Sequence, residues 1–322
     1  MKSIGVLTSG GDCPGMNPCL RAAIRTANEA GLEIFGVEDG LQGLIDDRII
    51  KLRSTFASGL SSIGGTVLGT ARSQEFMTKE GRAKAAANVR KHGIDALIIM
   101  GGDGSFRGGS ALAMEQGIPF IGLPCTIDND MYGTDFTIGF QTALDTIVEA
   151  VDKIRDTARS HHRLFFVETM GRHSGALAVS AAMATGADAI LVPETPSDIP
   201  ALAEKIKKSF AKKHKSFIVI VAEGDEAGNA LEIEKKVYEL SGVKGRVCVL
   251  GHVQRGGSPC ASDRILASIL GYCAVKSLIA GKKNLFIGVQ RDEVVETPIE
   301  EILGKKKPIR WDFWNITETL CQ

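Results

Sequence analysis

The chain has 322 residues, 44% of them hydrophobic, with 37 glycines, 6% aromatics and equal totals of 38 for Lys+Arg and Asp+Glu. With no net charge there is no overall basic field to draw it to nucleic acid or an anionic membrane, so any bound anion must be held by local clusters. Seven cysteines without a C-x-x-C pair suggest neither a disulfide framework nor a zinc site; no leader is legible in the opening MKSIGVLTSGGD, no apolar run is long enough for a membrane span, and a reducing cytoplasm is the expected compartment.

In chain order, Ser3–Thr8 (SIGVLT) reads as a strand that runs into Gly10-Gly11-Asp12-Cys13-Pro14-Gly15, and a helix over Asn17–Ala30 follows. Lys79–His92 reads as a helix ahead of a strand at Asp95–Met100, which runs into the turns Gly101-Gly102-Asp103-Gly104-Ser105 and Gly108-Gly109. The strand Pro119–Leu123 leads to Pro124-Cys125-Thr126-Ile127-Asp128-Asn129-Asp130. The clearest helix is Phe140–Arg159, with Phe140, Ala143, Ile147, Val151 and Ile154 on one face and a basic end suited to a helix C-terminus. It is the expected entrance to a second domain.

Strands then read at Leu164–Val167, Ala189–Val192, Phe217–Ala222 and Arg246–Leu250. The first runs into Glu168-Thr169-Met170-Gly171-Arg172, the third into Glu223-Gly224 and the last into Gly251-His252-Val253-Gln254-Arg255-Gly256-Gly257. Short, continuous, β-branched runs suit strands covered on both faces, and their alternation with helices implies an α/β protein with parallel sheets and crossover helices.

The chemistry gathers after the strands, where ligands of open α/β sheets bind. A Gly-Gly turn alone is ordinary turn chemistry, but glycines at a helix N-terminus also let backbone N–H groups cradle phosphate. Asp103, between glycines, can hold the Mg²⁺ that accompanies a phosphate. Asp128 and Asp130 read as a base plus a metal-linked or structural carboxylate, because a hydroxyl attacking phosphorus needs a carboxylate nearby. Arg172 and Arg255, each beside Gly at a turn, suit bidentate recognition of a phosphomonoester. Arg163 and Arg246 sit at the opposite ends of their strands and point to a neighbouring subunit or to nothing. Lys212, Lys213 and Lys215 read as a solvated run. A dinucleotide dehydrogenase is weakened because the first turn does not match G-x-G-x-x-G, and no P-loop is present.

At these residues the sequence resembles the phosphofructokinase family. Leu7–Asn17 (LTSGGDCPGMN), Gly101–Ser105, Pro124–Asp130, Met170-Gly171-Arg172 and Gly251–Pro259 follow its motifs in order across nearly the whole chain. The resemblance implies two Rossmann-like three-layer domains with an active site in the cleft between them. Residues 1–139 and about 252–305 would form a larger ATP-binding domain, and 140–251 with about 306–322 a smaller sugar-phosphate domain. Asp128 would accept the proton of the sugar 1-hydroxyl, Thr126 would touch the transferring group, and Arg72 and Arg172 would stabilise its charge. Gly11, Arg72, Ser73, Gly102, Asp103, Gly104, Ser105 and Gly108 would hold ATP. Asp103, with Asp130, would hold Mg²⁺. Thr126, Asp128, Met170, Gly171, Arg172, Glu223, His252 and Arg255 would bind fructose 6-phosphate. Arg163 and Arg246 resemble residues that complete a neighbouring site, implying a homo-oligomer, typically a tetramer. Arg21, Arg25, Arg155, Asp188 and Lys212 form a candidate effector site, in which Ser54, Gly59 and His214 replace charges typical of regulated bacterial members.

Pyrophosphate-using members usually carry Asp at the position of Gly104 and Lys at that of Cys125. Gly104 leaves room for an α-phosphate, and Cys125 supplies no cation, so ATP is the expected donor, although ATP users commonly have Gly where Cys125 stands. Leu41, Ser73 and Met77 replace aromatics and an Arg at the adenine pocket of well-known bacterial members, leaving another nucleoside triphosphate open. The alternatives are a pyrophosphate-dependent enzyme and, from another class, a non-catalytic sugar-phosphate sensor, against which the retained Asp128, Thr126, Arg72 and Arg172 argue.

Overall fold

The computed structural model describes residues 1–212 and 216–321; Lys213, His214 and Lys215 lie outside the described residues. The strands are β1 Ser3–Thr8, β2 Glu33–Val37, β3 Ile49–Lys51, β4 Ala96–Gly101, β5 Phe120–Pro124, β6 Arg163–Thr169, β7 Ala189–Leu191, β8 Ser216–Ala222, β9 Gly245–Val249, β10 Leu285–Gln290 and β11 Glu293–Pro298. The helices are α1 Met16–Glu29, α2 Gly40–Ile45, α3 Lys79–Lys91, α4 Asp103–Gln116, α5 Phe140–His161, α6 Ala176–Thr185, α7 Ile199–Ala211, α8 Ala230–Ser241, α9 Ala261–Ile279, α10 Ile299–Ile302 and α11 Trp311–Leu320.

The chain divides into two compact units. The first comprises Met1–Ile127, Met131–Thr142 and Arg255–Lys307. Its seven-stranded sheet has the order β11-β10-β5-β4-β1-β2-β3. The outer pairs β10–β11 and β2–β3 are antiparallel, and the interior is parallel. Every residue of β1 and β4 is buried, as continuous apolar strands between helical layers should be. The chain runs outward from β1 to β3, then returns to β4 on the other side of β1. That reversal makes the carboxyl ends of β1 and β4 a topological switch point, where open α/β sheets bind ligands.

The second unit comprises Asp128–Asp130, Ala143–Gln254 and the chain from Pro308 onward. Its parallel sheet has the order β7-β8-β6-β9. Leu164, Phe166, Val219 and Val221 pack against Leu202 and Ile206 of α7 and Ile233 and Val237 of α8. Here the reversal falls at β6, which has β8 on one side and β9 on the other.

Several expectations are corrected. β2, β3, β10 and β11 are not anticipated, although β2 and β10 carry apolar runs as long as those that are; β3 is short and β11 is largely exposed. The expected turn at Gly108-Gly109 is the interior of α4. The reason is packing: a Cβ at Gly109 would lie 2.6 Å from Ile99 Cδ1 and 2.9 Å from Phe120 Cε2, so glycine lets α4 press onto the sheet. β9, expected to be covered on both faces, is an edge strand with Arg246 and Val249 exposed.

Candidate active site

In the first unit, two loops are joined at the switch point. Ser9 N donates to Met100 O at 2.9 Å, and Ser105 Oγ donates to Ser9 Oγ at 2.9 Å. Gly101 permits this approach, since a Cβ there would meet Ser9 O at 2.5 Å. Gly10 is left-handed with φ +91°, and its carbonyl accepts from Thr70 Oγ1 at 2.9 Å, which ties down the segment carrying Arg72. Arg72 itself is exposed.

The start of α4 carries no side-chain cap: its N-cap is Gly102, and a Cβ at Gly102 or Gly104 would meet nothing within 4 Å. The two glycines therefore leave open room at the start of the helix, where the positive end of the helix dipole falls. Asp103 opens the helix with a half-exposed carboxylate, which accepts from Arg107 Nε at 2.6 Å one turn later. Among the described residues no cluster of three or more His, Cys, Asp or Glu could hold a metal by itself. Asp103 beside that open space nonetheless fits Mg²⁺, which binds through one or two carboxylates plus the phosphates of a substrate.

Around this start, Leu41 and Phe76 close over Gly108, where a Cβ would lie 3.0 Å from Leu41 Cδ1 and 3.3 Å from Phe76 Cε1. Ser73 Oγ donates to Gln42 Oε1 at 2.6 Å and accepts from Phe76 N at 3.0 Å, so its hydroxyl shapes the turn beneath. Arg255, expected with the sugar phosphate, lies on Gly11: a Cβ there would be 3.1 Å from its Nη1.

The Thr126 segment is held by main chain. Cys125 bridges to Ile138, Thr126 N donates to Ile138 O at 3.1 Å, and Thr137 Oγ1 donates to Thr126 O at 2.6 Å. The Cys125 side chain turns inward against Cys13 and Cys19, and burial pushes its thiol well above the ordinary range. A cysteine in place of glycine therefore adds bulk to the interior.

In the second unit, Asp128 is 6% exposed, and its Oδ2 lies 3.8 Å from Arg172 Nε. Gly171 and Arg172, after β6, both have left-handed φ, +138° and +53°. That unusual turn is clamped from both sides. Arg172 N donates to Glu223 Oε1 at 2.9 Å, and Met170 N donates to Gln254 Oε1 at 3.1 Å. Gln254 is fully buried and also donates to Gly251 O at 2.9 Å, folding the 3₁₀ turn Gly251–Arg255 that presents an exposed His252. Gln254 escaped the sequence reading as a functional residue; its place in the GHVQRGG motif was the available signal. A Cβ at Gly224 would lie 1.7 Å from Arg172 O. Gly224→Ala is therefore expected to displace the Arg172 turn and raise the KM for a sugar phosphate severalfold, as steady-state kinetics would show.

Asp128, Met170, Gly171, Arg172 and Glu223 are thus brought together, with His252 on the neighbouring strand end. Asp130, in the same segment, is exposed. Arg163 and Arg246 are not with them. Arg163 opens β6 and Arg246 is the second residue of β9, so Arg163 is about 20 Å along its strand from Met170. Of the candidate effector residues, Arg21 and Arg25 stand one turn apart on α1. Arg155 Nη2 donates to Thr185 O at 2.7 Å and Gly186 O at 2.9 Å, capping the C-terminus of α6. Asp188 Oδ2 accepts from Ile218 N at 2.7 Å, and Lys212 is exposed at the end of α7.

A phosphofructokinase family model matches residues 3–278. Over 321 residues the chain is 48% identical to ATP-dependent 6-phosphofructokinase 1 of Thermus thermophilus, covering 100% of both chains. It is 47% identical to the ATP-dependent 6-phosphofructokinase of Bacillus subtilis, covering 99% of each. The solved structure of phosphofructokinase from Saccharomyces cerevisiae matches with a TM-score of 0.87 at 39% identity, covering 94% of this chain and 45% of the yeast chain.

Proposed function

The chain belongs to the phosphofructokinase family, and from that premise we propose that it is an ATP-dependent 6-phosphofructokinase, a phosphotransferase of glycolysis that moves the terminal phosphoryl group of ATP onto the 1-hydroxyl of fructose 6-phosphate. The observation that carries this reading is the buried carboxylate of Asp128 at 3.8 Å from the Arg172 guanidinium, on a loop that also carries Thr126.

Phosphoryl transfer asks a protein for alignment, charge and exclusion of water. Asp128 takes the proton of the 1-hydroxyl as that oxygen attacks. Arg172, with Arg72, carries charge to the transferring group, and Thr126 touches it. Met170, Gly171, Glu223, His252 and Arg255 hold the sugar phosphate. Gly11, Ser73, Gly108 and the loop Gly102–Ser105 hold the nucleotide, so the first unit takes ATP, while all those sugar-phosphate residues but Arg255 belong to the second. Asp103, with Asp130, would hold Mg²⁺, which neutralises phosphate charge when bound.

Strand geometry supports a composite site. A sugar phosphate at Met170 is about 20 Å from the same chain's Arg163, so Arg163 and Arg246 would complete the site of another copy in a homotetramer. Arg21, Arg25, Arg155, Asp188 and Lys212 remain the candidate effector group. ADP or phosphoenolpyruvate would be expected to shift the fructose 6-phosphate saturation curve, and no shift with either would remove that role. Among the described residues no helix is long and apolar enough to cross a membrane; the cytoplasmic location proposed for the chain goes with its glycolytic role.

The test is a donor comparison with fructose 6-phosphate and Mg²⁺. Turnover with ATP and little with pyrophosphate is expected; the reverse preference would overturn the donor. Binding of the sugar phosphate without turnover would favour a sensor. Gly104→Asp should cut ATP-dependent kcat/KM by about 100-fold or more, because its carboxylate would point into the open space before α4 and repel phosphate.

A further inference from the structure

The catalytic loop is held from a distance by a carboxylate that the reaction never touches. Asp263, in the first turn of α9, is fully buried. Its Oδ1 accepts from Gly139 N at 2.9 Å, and its Oδ2 from Thr142 N at 2.8 Å and Thr142 Oγ1 at 2.6 Å. Thr142 Oγ1 in turn accepts from Cys260 N at 3.0 Å. Asp263 therefore caps the first turn of α5 from another helix. No salt bridge pairs it among the described residues; what compensates its charge is this donor set at the start of two helices, where the positive ends of both dipoles fall. Burial raises its carboxyl above the usual range and the donors oppose that.

The cap continues into the active site through one residue. Gly139 follows Ile138, whose carbonyl accepts both Thr126 N at 3.1 Å and Cys13 Sγ at 3.2 Å. Ile138 N donates to Pro124 O at 2.9 Å. Gly139, with φ +100°, is pressed so close that a Cβ would lie 2.6 Å from Cys13 Cβ. The main chain at Thr126, two residues before Asp128, thus rests on Ile138, and Ile138 is anchored at Gly139 by Asp263.

We infer that Asp263 is a positioning residue for phosphoryl transfer: its bonds to Gly139 and Thr142 set the main chain at Thr126, and through it the approach of Asp128 to the attacking hydroxyl. The inference rests on the kinase reading. A misplacement of about 1 Å at a reacting group can cost roughly 100-fold. The nucleotide cradle shares the Cys13 contact but is also held independently, by Ser9 with Ser105 and by Thr70 with Gly10, so ATP binding should change far less than turnover.

The experiment compares the unaltered protein with Asp263→Asn, Thr142→Val and Thr142→Ser. Asp263→Asn should lower kcat by about 10- to 100-fold with the KM for ATP changed less than about twofold, and amide exchange at Thr126 should quicken without substrate. Thr142→Val should move both readouts in the same direction, and Thr142→Ser, which keeps the hydroxyl, should restore them. Each kcat is referred to the fraction that binds ATP, so loss of folded protein alone does not register. Unaltered kcat and Thr126 exchange in a folded Asp263→Asn protein would overturn the inference. If that variant fails to fold, unaltered values in Thr142→Val would overturn it. Failure of the kinase reading would appear separately, as absent turnover in the unaltered protein.

Discussion

Asp128→Asn is expected to lower kcat by about 10²–10⁴-fold, the usual contribution of a positioned general base, while leaving the KM values for ATP and fructose 6-phosphate within a fewfold. The substitution keeps the shape of a side chain that is 6% exposed and removes only its capacity to take a proton. Charge makes the test sharper. With Arg172 Nε at 3.8 Å, the asparagine protein retains the cation proposed for the transferring phosphoryl group, so a loss of turnover reports the base alone. Normal turnover in the asparagine protein would end the assignment. If the sugar phosphate no longer bound, the residue would instead be a binding group.

Arg172→Ala should fall further, by about 10³–10⁵ in kcat, the range an arginine supplies to a phosphoryl-transfer transition state. The KM for ATP should change far less, because the interaction strengthens as charge spreads over the equatorial oxygens. A change confined to KM would contradict that role. Backbone strain does not confound the test: Arg172 already occupies a left-handed conformation, φ +53°, so alanine inherits that cost. Arg172→Lys should recover little, since a single ammonium does not reproduce the planar fork of the guanidinium. The two substitutions are also expected to be non-additive, because a base and a cation in those proposed roles would serve one transition state.

Much of this was legible in the sequence because it is local. The apolar runs of β1, β4, β5, β6 and β8 read as buried strands at once, and the stripe on α5 gave that helix to within two residues at its end. The glycines after those strands pointed to phosphate, and Asp128 and Arg172 to phosphoryl transfer. Where local pattern and packing disagree, the sequence reading failed. Gly108-Gly109 looks like a turn but lies inside α4, because the sheet leaves no room there for a side chain. Arg246–Leu250 looks like a covered strand but becomes an edge, because nothing in its composition says which side goes unpaired. Gln254 was marked only by its place in the GHVQRGG motif, and Asp263 carried no signal of its own.

By itself the sequence pointed to the chemistry expected of the chain and to the loops proposed to carry it, since residue type and turn signals are properties of a few consecutive residues. Only the tertiary structure decided that the thiol of Cys125 faces the interior, that Arg255 lies on Gly11, and that Asp263 reaches Gly139 across 124 positions of sequence. Those outcomes depend on which distant segments meet. Contacts of that kind are fixed by the packing of sheets and helices as whole bodies, in which a buried donor must find its acceptor wherever the fold has placed it.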